Sequence, residues 1–291
     1  MSERNRRYSR AWRLVSVIVL RPLLHALWKN EWRGRENIPR QGGVILAPNH
    51  MSYADWGVDA LLSYESGYYP EFLIKSSVFE VKVLGPIVGK LGQFPVHRGR
   101  SDAALVLKQA EQALLAGECV IVYPEQTATR DPELWPMVAK TGVARLALAT
   151  GAPVVPIAHW GTQHVLPYGT SKPRLLPRKR VRTIVGPPVD LSAYQGQRMS
   201  ASVLRAATAT IMADVTALLA ELRGEQPPAV PYDPTIKKSL SRTDPAGSPE
   251  SVAVDPGDAD PGDADPANVD PANVDPADKG SGDSAMEARP Q

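Results

Sequence analysis

The chain has 291 residues, 43% of them hydrophobic, which is enough for the core of one large domain or two small ones. Its formal net charge is +2, but the charge is unevenly distributed. Residues 231–291 carry 13 acidic and 5 basic side chains, a net of −8. Residues 1–230 carry 28 basic and 18 acidic side chains, a net of +10. The single cysteine, Cys119, excludes an intrachain disulfide, and the five histidines lack the clustered spacing of a zinc site.

The N-terminal 30 residues are basic and apolar. Five arginines lie in the first 13 residues, and the apolar run over residues 14–20 is interrupted by Arg21-Pro22, so it is shorter than the roughly 20 residues that span a bilayer. Arginines beside Trp12 and Trp28 are typical of helices that dock on an anionic membrane surface. We predict a pair of amphipathic interfacial helices over residues 1–30; ordinary helices packed on the core are the alternative.

The stretch around His50 carries the first candidate chemistry. The apolar run over residues 43–47 predicts a buried strand, and residues 55–63 predict a helix, so His50 lies where α/β folds often present reactive groups. Asp55, five residues on, can orient the imidazole and stabilise its protonated form. The pair is therefore a candidate general base for a hydroxyl, although a surface histidine beside a helix cap gives the same pattern.

A second polar strand end lies at Arg98, which follows a short strand within residues 92–97 and precedes Gly99. Glycine lets the backbone approach a ligand closely, and arginine offers paired donors that match phosphate. A solvated turn is the alternative. Between this strand and the first helix, the sequence predicts a strand over residues 71–74 that ends at Lys75, a short helix over 78–83 and a turn-rich apolar piece over 84–89.

The rest of the ordered chain alternates helices with apolar strands, which predicts an α/β fold with a mostly parallel or mixed sheet covered by helices. The strand over residues 119–123 leads into Glu125, Thr127 and Arg130, a third cluster of polar groups at a strand end. The predicted segments are helices over 101–116, 141–150 and 200–223, strands over 119–123, 152–160 and 182–186, a loop or edge segment over 32–41, and a strongly basic loop over 168–182.

The C-terminal residues 226–291 are rich in proline and acidic side chains. Asp-Pro recurs every five residues from position 255 to position 275, a period that forbids a helix, and there is little apolar surface to bury. We predict that this tail is disordered.

Four strand-end motifs occur in one order. They are Asn49-His50 with Asp55, Phe94 to Gly99, Tyr123-Pro124-Glu125, and Val155-Pro156-Ile157. Together they resemble the glycerolipid acyltransferase family, whose best-known member is 1-acylglycerol-3-phosphate acyltransferase. The resemblance covers roughly residues 30–190 and extends to the segments over 34–39 and 75–85.

The resemblance implies transfer of a fatty acyl group from acyl-CoA or acyl carrier protein to a lysophospholipid hydroxyl, most simply that of 1-acylglycerol-3-phosphate, giving phosphatidic acid. It implies His50 as general base, Asp55 as its orienting carboxylate, Pro156 in the acyl region, and neither a cofactor nor a metal. The residues implied to bind substrate are Asn49, Arg98, Gly99, Glu125, Thr127, Arg130 and Lys140.

The same resemblance implies a phospholipid-biosynthetic enzyme bound peripherally or monotopically to the cytoplasmic face of the cell membrane. The domain organisation would be interfacial helices over residues 1–30, the acyltransferase domain over 31–225 and the disordered acidic tail over 226–291. An anionic membrane surface accounts for the basic body, and no nucleic-acid partner is expected, because the basic residues form no recognition motif.

The third motif departs from the family pattern Pro-Glu-Gly-Thr-Arg. Gln126 replaces the glycine and Ala128 replaces the arginine, so Arg130 or Lys140 would have to supply the charge, or the acceptor is a different lipid. A catalytically silent lipid-binding or scaffold protein of the same fold is the other reading. Retention of both His50 and Asp55 argues against that reading.

Overall fold

The computed structural model describes residues 3–76, 80, 82, 84–90, 93–96, 100–170 and 172–235. The strands within these ranges are β1 (Trp28–Arg33), β2 (Val44–Pro48), β3 (Pro70–Lys75), β4 (Phe94–Val96), β5 (Cys119–Ile121), β6 (Val154–Trp160) and β7 (Lys179–Val185). The helices are α1 (Glu3–Leu27), α2 (Asp55–Glu65), α3 (Leu84–Lys90), α4 (Arg100–Leu115), α5 (Gly142–Thr150), α6 (Thr162–Val165) and α7 (Ala201–Arg223), with 3-10 turns at Arg35–Asn37 and Ser192–Tyr194.

The described strands form one sheet in the order β1-β7-β6-β2-β5-β3-β4. Every neighbouring pair is parallel except β6 and β7, which are antiparallel. The predicted α/β class, with a mixed sheet covered by helices, is therefore confirmed. Because β2, β5 and β6 run in the same direction, the residues that follow them gather at one edge of the sheet, which is where ligands bind in open α/β folds.

The central strand β2 is buried along its whole length, which explains why it is a continuous apolar run rather than an alternating one. Successive residues point to opposite faces. Val44 and Leu46 pack into the cluster beneath α1 and α2. Ile45 and Ala47 pack into the cluster beneath α4, α5 and α7. Both faces of β2 are thus covered by helices, which fixes the position of its carboxyl end.

The C-terminal part of α1 is anchored to α2 at Gly57. A Cβ atom at this glycine would lie 2.7 Å from the Trp28 ring and 3.0 Å from Leu24, so only glycine permits this approach. Leu24 and Trp28 are buried as a result. This contact holds α1 beside the helix that begins at Asp55.

The N-terminal prediction was wrong in one respect, because α1 is a single helix rather than a pair. It runs through Pro22, whose ring nitrogen cannot donate a hydrogen bond to the preceding turn. The burial of Leu24 against α2 holds the turn that follows the proline in place.

Three further segments differ from prediction. Residues 84–89 form most of α3 rather than a turn, since a proline near the start of a helix loses little hydrogen bonding. The predicted loop or edge segment over 32–41 contains the end of β1, which is an edge strand, and β7 begins at Lys179, within the predicted basic loop. Polar residues occur in β1 because it is the sheet edge, and they occur at the start of β7 beside it.

Helix α7 is the one helix of the described ranges that is long and apolar enough to cross a membrane. One row of its side chains, including Leu204, Ile211 and Leu219, is buried against the sheet. Ser200 caps its first turn by accepting a hydrogen bond from Val203 N at 3.3 Å. These contacts identify α7 as a core helix of the fold.

Several predictions concern residues outside the described ranges. They are Arg98 and Gly99, most of the short helix over 78–83, and the acidic tail beyond residue 235.

Candidate active site

His50 and Asp55 meet as the sequence predicts. The Nδ1 atom of His50 lies 2.8 Å from Oδ2 of Asp55. The same carboxylate oxygen accepts hydrogen bonds from Met51 N at 2.8 Å and Ser52 N at 2.9 Å. Asp55 is fully buried in the first turn of α2, and the His50 side chain is 13% exposed. The loop between β2 and α2 therefore folds around the Asp55 carboxylate and presents the imidazole of His50.

The electrostatics of Asp55 favour its charged form. Burial alone would raise the pKa of Asp55, but the charge of the neighbouring His159, whose Nε2 lies 3.2 Å from Oδ1, and the hydrogen bond from His50 lower that pKa well below its ordinary range. An ionised carboxylate on Nδ1 selects the tautomer in which Nδ1 carries the proton. The other nitrogen, Nε2, is then the one that can accept a proton.

Glu125 holds the backbone of the loop between β2 and α2. Its Oε1 accepts a hydrogen bond from His50 N at 3.1 Å, and its Oε2 accepts one from Met137 N at 2.9 Å. The carbonyl of His50 accepts a third bond, from Thr129 N at 2.7 Å. Glu125 is 4% exposed, and burial raises its pKa to about 8, although both backbone bonds oppose that shift. Both backbone polar groups of His50 are thus fixed by the loop that follows β5.

Asn49 joins the ends of β2 and β6. Its Oδ1 accepts a hydrogen bond from His159 N at 2.9 Å, and its Nδ2 donates one to His159 O at 3.2 Å. The side chain is 2% exposed, so its amide faces the backbone of β6. Asn49 therefore lies beside His50 but positions strands, which differs from the substrate contact that the family resemblance implies.

The remaining predicted residues lie on the loop that Glu125 attaches to His50. Thr127 and Lys140 are half-buried and Arg130 is exposed. Lys140 N donates to Pro124 O at 2.9 Å, which closes the loop into a compact unit. These three side chains therefore share one loop with Glu125, whereas Arg98 and Gly99 fall outside the described ranges.

Both departures from the family motif are visible in the backbone. Gln126 has a φ of 61°, the left-handed conformation that glycine adopts most readily, so the turn keeps its shape without glycine. Ala128 is fully buried. The side chain at position 128 points into the protein, and the charge of the arginine in the family pattern has no equivalent there.

Aromatic rings surround His50. Tyr123 stacks on the imidazole with ring centroids 4.2 Å apart and an angle of 24° between the rings. Tyr53 approaches edge-on at 6.3 Å and in turn lies 6.0 Å from Tyr168. Tyr53, Trp56 and Tyr168 are each 42 to 50% exposed. The site therefore opens through an exposed aromatic surface.

A second histidine lies behind the pair, and the sequence analysis gave it no role. His159 is fully buried, with Nε2 3.2 Å from Asp55 Oδ1 and Nδ1 3.7 Å from Asp59 Oδ1. Burial would lower the pKa of His159, but the two carboxylates raise it to about 9. Two sequence signals point to this contact. Asp55 and Asp59 are four residues apart on a helix, and His159 shares a strand face with Val155 and Ile157.

Among the residues that the structure describes, no group of three or more histidine, cysteine, aspartate or glutamate side chains is arranged to hold a metal ion. The site brings together an imidazole that can accept a proton, the carboxylate that orients it and an adjacent polar loop.

Comparison with known proteins supports the sequence resemblance. The acyltransferase family model matches residues 29–160. The chain is 28% identical over 183 residues to a chloroplast 1-acyl-sn-glycerol-3-phosphate acyltransferase of Brassica napus, covering 62% of this chain and 49% of that protein. It is 26% identical over 207 residues to the 1-acyl-sn-glycerol-3-phosphate acyltransferase of Pseudomonas aeruginosa, covering 69% of this chain and 75% of that protein. The chain spans about half the length of the chloroplast relatives it matches.

A solved structure shares the fold. The crystal structure of the 1-acyl-sn-glycerophosphate acyltransferase from Thermotoga maritima aligns with a TM-score of 0.56 at 22% sequence identity. The alignment covers 78% of this chain and 86% of that one. At this identity the likeness establishes the arrangement of strands and helices.

Proposed function

We propose that the chain is a member of the acyltransferase family, whose model matches residues 29–160, and that it transfers a fatty acyl group from acyl-CoA or acyl carrier protein to the hydroxyl of 1-acylglycerol-3-phosphate, giving phosphatidic acid. The observation that carries the proposal is the 2.8 Å contact between His50 Nδ1 and an ionised Asp55 at the carboxyl edge of the sheet. This contact supplies a positioned general base of the kind that an alcohol nucleophile requires.

In the proposed mechanism, Nε2 of His50 removes the proton of the acceptor hydroxyl as its oxygen attacks the thioester carbonyl. Asp55 stabilises the resulting imidazolium through Nδ1. The tetrahedral intermediate collapses with cleavage of the carbon–sulfur bond, and the departing thiolate takes the proton from His50. The products are the ester and the free thiol, and His50 returns to its neutral state. A thioester is already activated, so the steps require no covalent acyl-enzyme.

The loop after β5 is the proposed site for the acceptor headgroup. Thr127, Arg130 and Lys140 share the loop that is bonded to both backbone groups of His50, which supports contact with a phosphate near the reacting hydroxyl. By the family resemblance, Arg98 and Gly99 would complete this site. Glu125 would act through the His50 loop, since both of its carboxylate oxygens accept backbone hydrogen bonds.

We propose that α1 docks on the cytoplasmic face of the membrane, where the acyl donors are found. Its apolar side chains divide into a buried row that includes Leu24 and an exposed stripe. The exposed stripe consists of Leu14, Val15, Ile18, Val19 and Leu23, each 48 to 63% exposed. This stripe lies on the helix that packs beside α2, whose exposed Trp56 adjoins the catalytic loop. An interfacial helix would therefore place the site at the lipid surface.

A second candidate function differs from the first in the lipid that accepts the acyl group. Buried Ala128 stands where the family pattern has arginine, which favours an acceptor with a headgroup other than a bare phosphate monoester.

A transfer assay in vesicles decides between the two acceptors. Wild-type protein receives radiolabelled long-chain acyl-CoA or acyl carrier protein and a panel of lysophosphatidic acid, other lysophospholipids and a glycolipid.

The proposal predicts that lysophosphatidic acid is acylated fastest. A faster rate with another acceptor would contradict the phosphatidic acid assignment while keeping the enzyme class. An absence of product with every donor and acceptor would contradict the enzyme class and favour the lipid-binding or scaffold reading.

A further inference from the structure

Three ionisable side chains behind His50 have no part in the proposed mechanism. Asp59 lies one helical turn beyond Asp55 on α2, His159 lies on β6, and Tyr123 follows β5. Asp59 and His159 are fully buried. Buried ionisable groups are costly unless they are paired, so two of them from two elements, joined by the half-buried Tyr123 beside one catalytic histidine, call for a physical account.

His159 bridges the two carboxylates of α2. Its ring lies between them, with Nε2 3.2 Å from Asp55 Oδ1 and Nδ1 3.7 Å from Asp59 Oδ1. Asp55 thus contacts a histidine through each of its oxygens, His50 through Oδ2 and His159 through Oδ1. The backbone of His159 is fixed as well, by its two hydrogen bonds with Asn49.

The chain of contacts returns to His50. The hydroxyl of Tyr123 donates a hydrogen bond to Asp59 Oδ2 at 2.6 Å. The Tyr123 ring stacks on the His50 imidazole, with ring centroids 4.2 Å apart. The connected path therefore runs from His50 through Asp55, His159 and Asp59 to Tyr123, and back to His50. A change of charge on any member is felt by the catalytic base at short range in a low-dielectric interior.

We propose that His159 is a positioning residue, a buried imidazolium held between Asp55 and Asp59, which keeps Asp55 ionised and sets the pH range in which His50 is an active base. The inference rests on the proposed function, because it concerns the same catalytic histidine. His159 touches no reacting atom and acts through Asp55.

The charge balance gives the direction of the effect. Burial raises the pKa of Asp59 to about 6, so both carboxylates are ionised above that pH. With His159 protonated and His50 neutral, the cluster then carries one net negative charge, and it becomes neutral when His50 takes a proton. Removing the positive charge of His159 favours protonation of both His50 and Asp55, because a repelling charge is lost. Removing the negative charge of Asp59 disfavours protonation of both, because an attracting charge is lost. Glu125, after β5, also acts on His159, and Tyr123 donates to Asp59; both remain in place in either variant.

The test is the pH dependence of kcat/KM for acyl transfer in vesicles, measured between pH 5 and 9 for four proteins. These are the wild type, His159→Gln, Asp59→Asn and the control His164→Gln, which changes an exposed histidine on α6. The acid limb should move to higher pH by about one unit or more in His159→Gln and to lower pH in Asp59→Asn. One unit is about a tenfold change in rate on that limb. His164→Gln should match the wild type.

Titration of the histidine ring signals by NMR, with the full-length chain in detergent micelles, gives a readout independent of turnover. The histidine signal that is absent from the His159→Gln spectrum identifies the His159 ring. In the wild type this signal should be that of a doubly protonated ring at pH 7.5. The pKa of His50 should rise in His159→Gln and fall in Asp59→Asn.

A neutral His159 ring at pH 7.5, or shifts of the same sign in both variants, would overturn the inference, because a packing defect would not reverse sign with the charge removed. An inactive wild type would defeat the proposed function, and the NMR titration would still decide the inference.

Discussion

Asp55 serves the fold and the proposed chemistry with one carboxylate. Oδ2 closes the β2–α2 loop through Met51 N and Ser52 N and orients His50 through Nδ1. Because the same atom accepts all three bonds, the loop cannot form its observed shape without also placing the imidazole. The spacing of five residues between His50 and Asp55 is therefore a structural requirement of this loop as well as a chemical one.

Glu125 is the second residue that joins structure to chemistry, and we predict that Glu125→Gln is destabilising and impairs transfer. Both oxygens of Glu125 accept backbone N–H bonds, whereas glutamine has one oxygen and would turn an NH₂ group toward a donor. Leaving a buried N–H without an acceptor costs about 1–3 kcal/mol. The thermal unfolding temperature should fall by several degrees, and kcat for acyl transfer should fall as well.

The control is Glu133→Gln, which changes an exposed carboxylate of the same loop and should leave both quantities unchanged. If Glu125→Gln unfolds at the wild-type temperature, the two backbone hydrogen bonds that Glu125 accepts do not stabilise the protein as predicted.

At the scale of elements, the strand-end motifs were predictable because each follows an apolar run. The helices α2, α4, α5 and α7 were predicted close to their observed bounds because they are long or periodic, and the strands β2 and β6 because they are continuous apolar runs. Only the end of β1 was predicted, as a possible edge segment, and α3 was missed. β1 has two tryptophans among four polar or charged residues, and α3 contains two glycines and a proline, so local composition points away from the structure that tertiary contacts select.

The predicted site was partly recoverable from the sequence. His50, Asp55 and Glu125 lie in short motifs, and the structure brings them together. The contact of His159 with Asp55 joins residues that are 104 positions apart, and it depends on β6 pairing with β2 in one register. Strand pairing and register of this kind are set by the whole sheet, and no local motif encodes them.

The exposed stripe of α1 is the element whose function is easiest to isolate, and we predict that Ile18→Asp weakens binding to anionic vesicles about tenfold or more. Ile18 is 63% exposed, and the change both removes apolar surface and adds a charge that anionic headgroups repel. Vesicle co-sedimentation at several lipid concentrations measures the effect.

A matched control is Leu115→Asp, an exposed apolar residue of α4 that is 68% exposed. It should bind vesicles as the wild type does. Equal binding of Ile18→Asp and wild type would show that α1 is not the docking surface.

At the scale of the whole molecule, the buried cluster makes folding stability depend on pH, and we predict that stability falls as the pH rises from 6.5 to 9. The pKa of His159 is raised from 6.5 to about 9, so its stabilising contribution is complete below pH 6.5 and is lost as the pH passes through 9. The pKa of Glu125 is raised from 4.5 to about 8, so its contribution is lost between pH 4.5 and 8 and acts in the same direction over the lower part of this window.

Differential scanning calorimetry across this window measures the effect, and the unfolding temperature should drop by roughly 5 °C or more. His164→Gln should show the same pH dependence as the wild type, because His164 is exposed. A flat or rising stability between pH 6.5 and 9 would mean that His159 is not held as a buried cation.

The central claim is that His50 is the general base of acyl transfer, and the most direct test compares the wild type with His50→Ala in vesicles that contain lysophosphatidic acid and radiolabelled acyl-CoA. The control His25→Ala changes a half-exposed histidine of α1. Removing a positioned base costs about 100-fold or more in rate, so we expect transfer to be lost in His50→Ala and retained in His25→Ala. Transfer at the wild-type rate by His50→Ala would contradict the account.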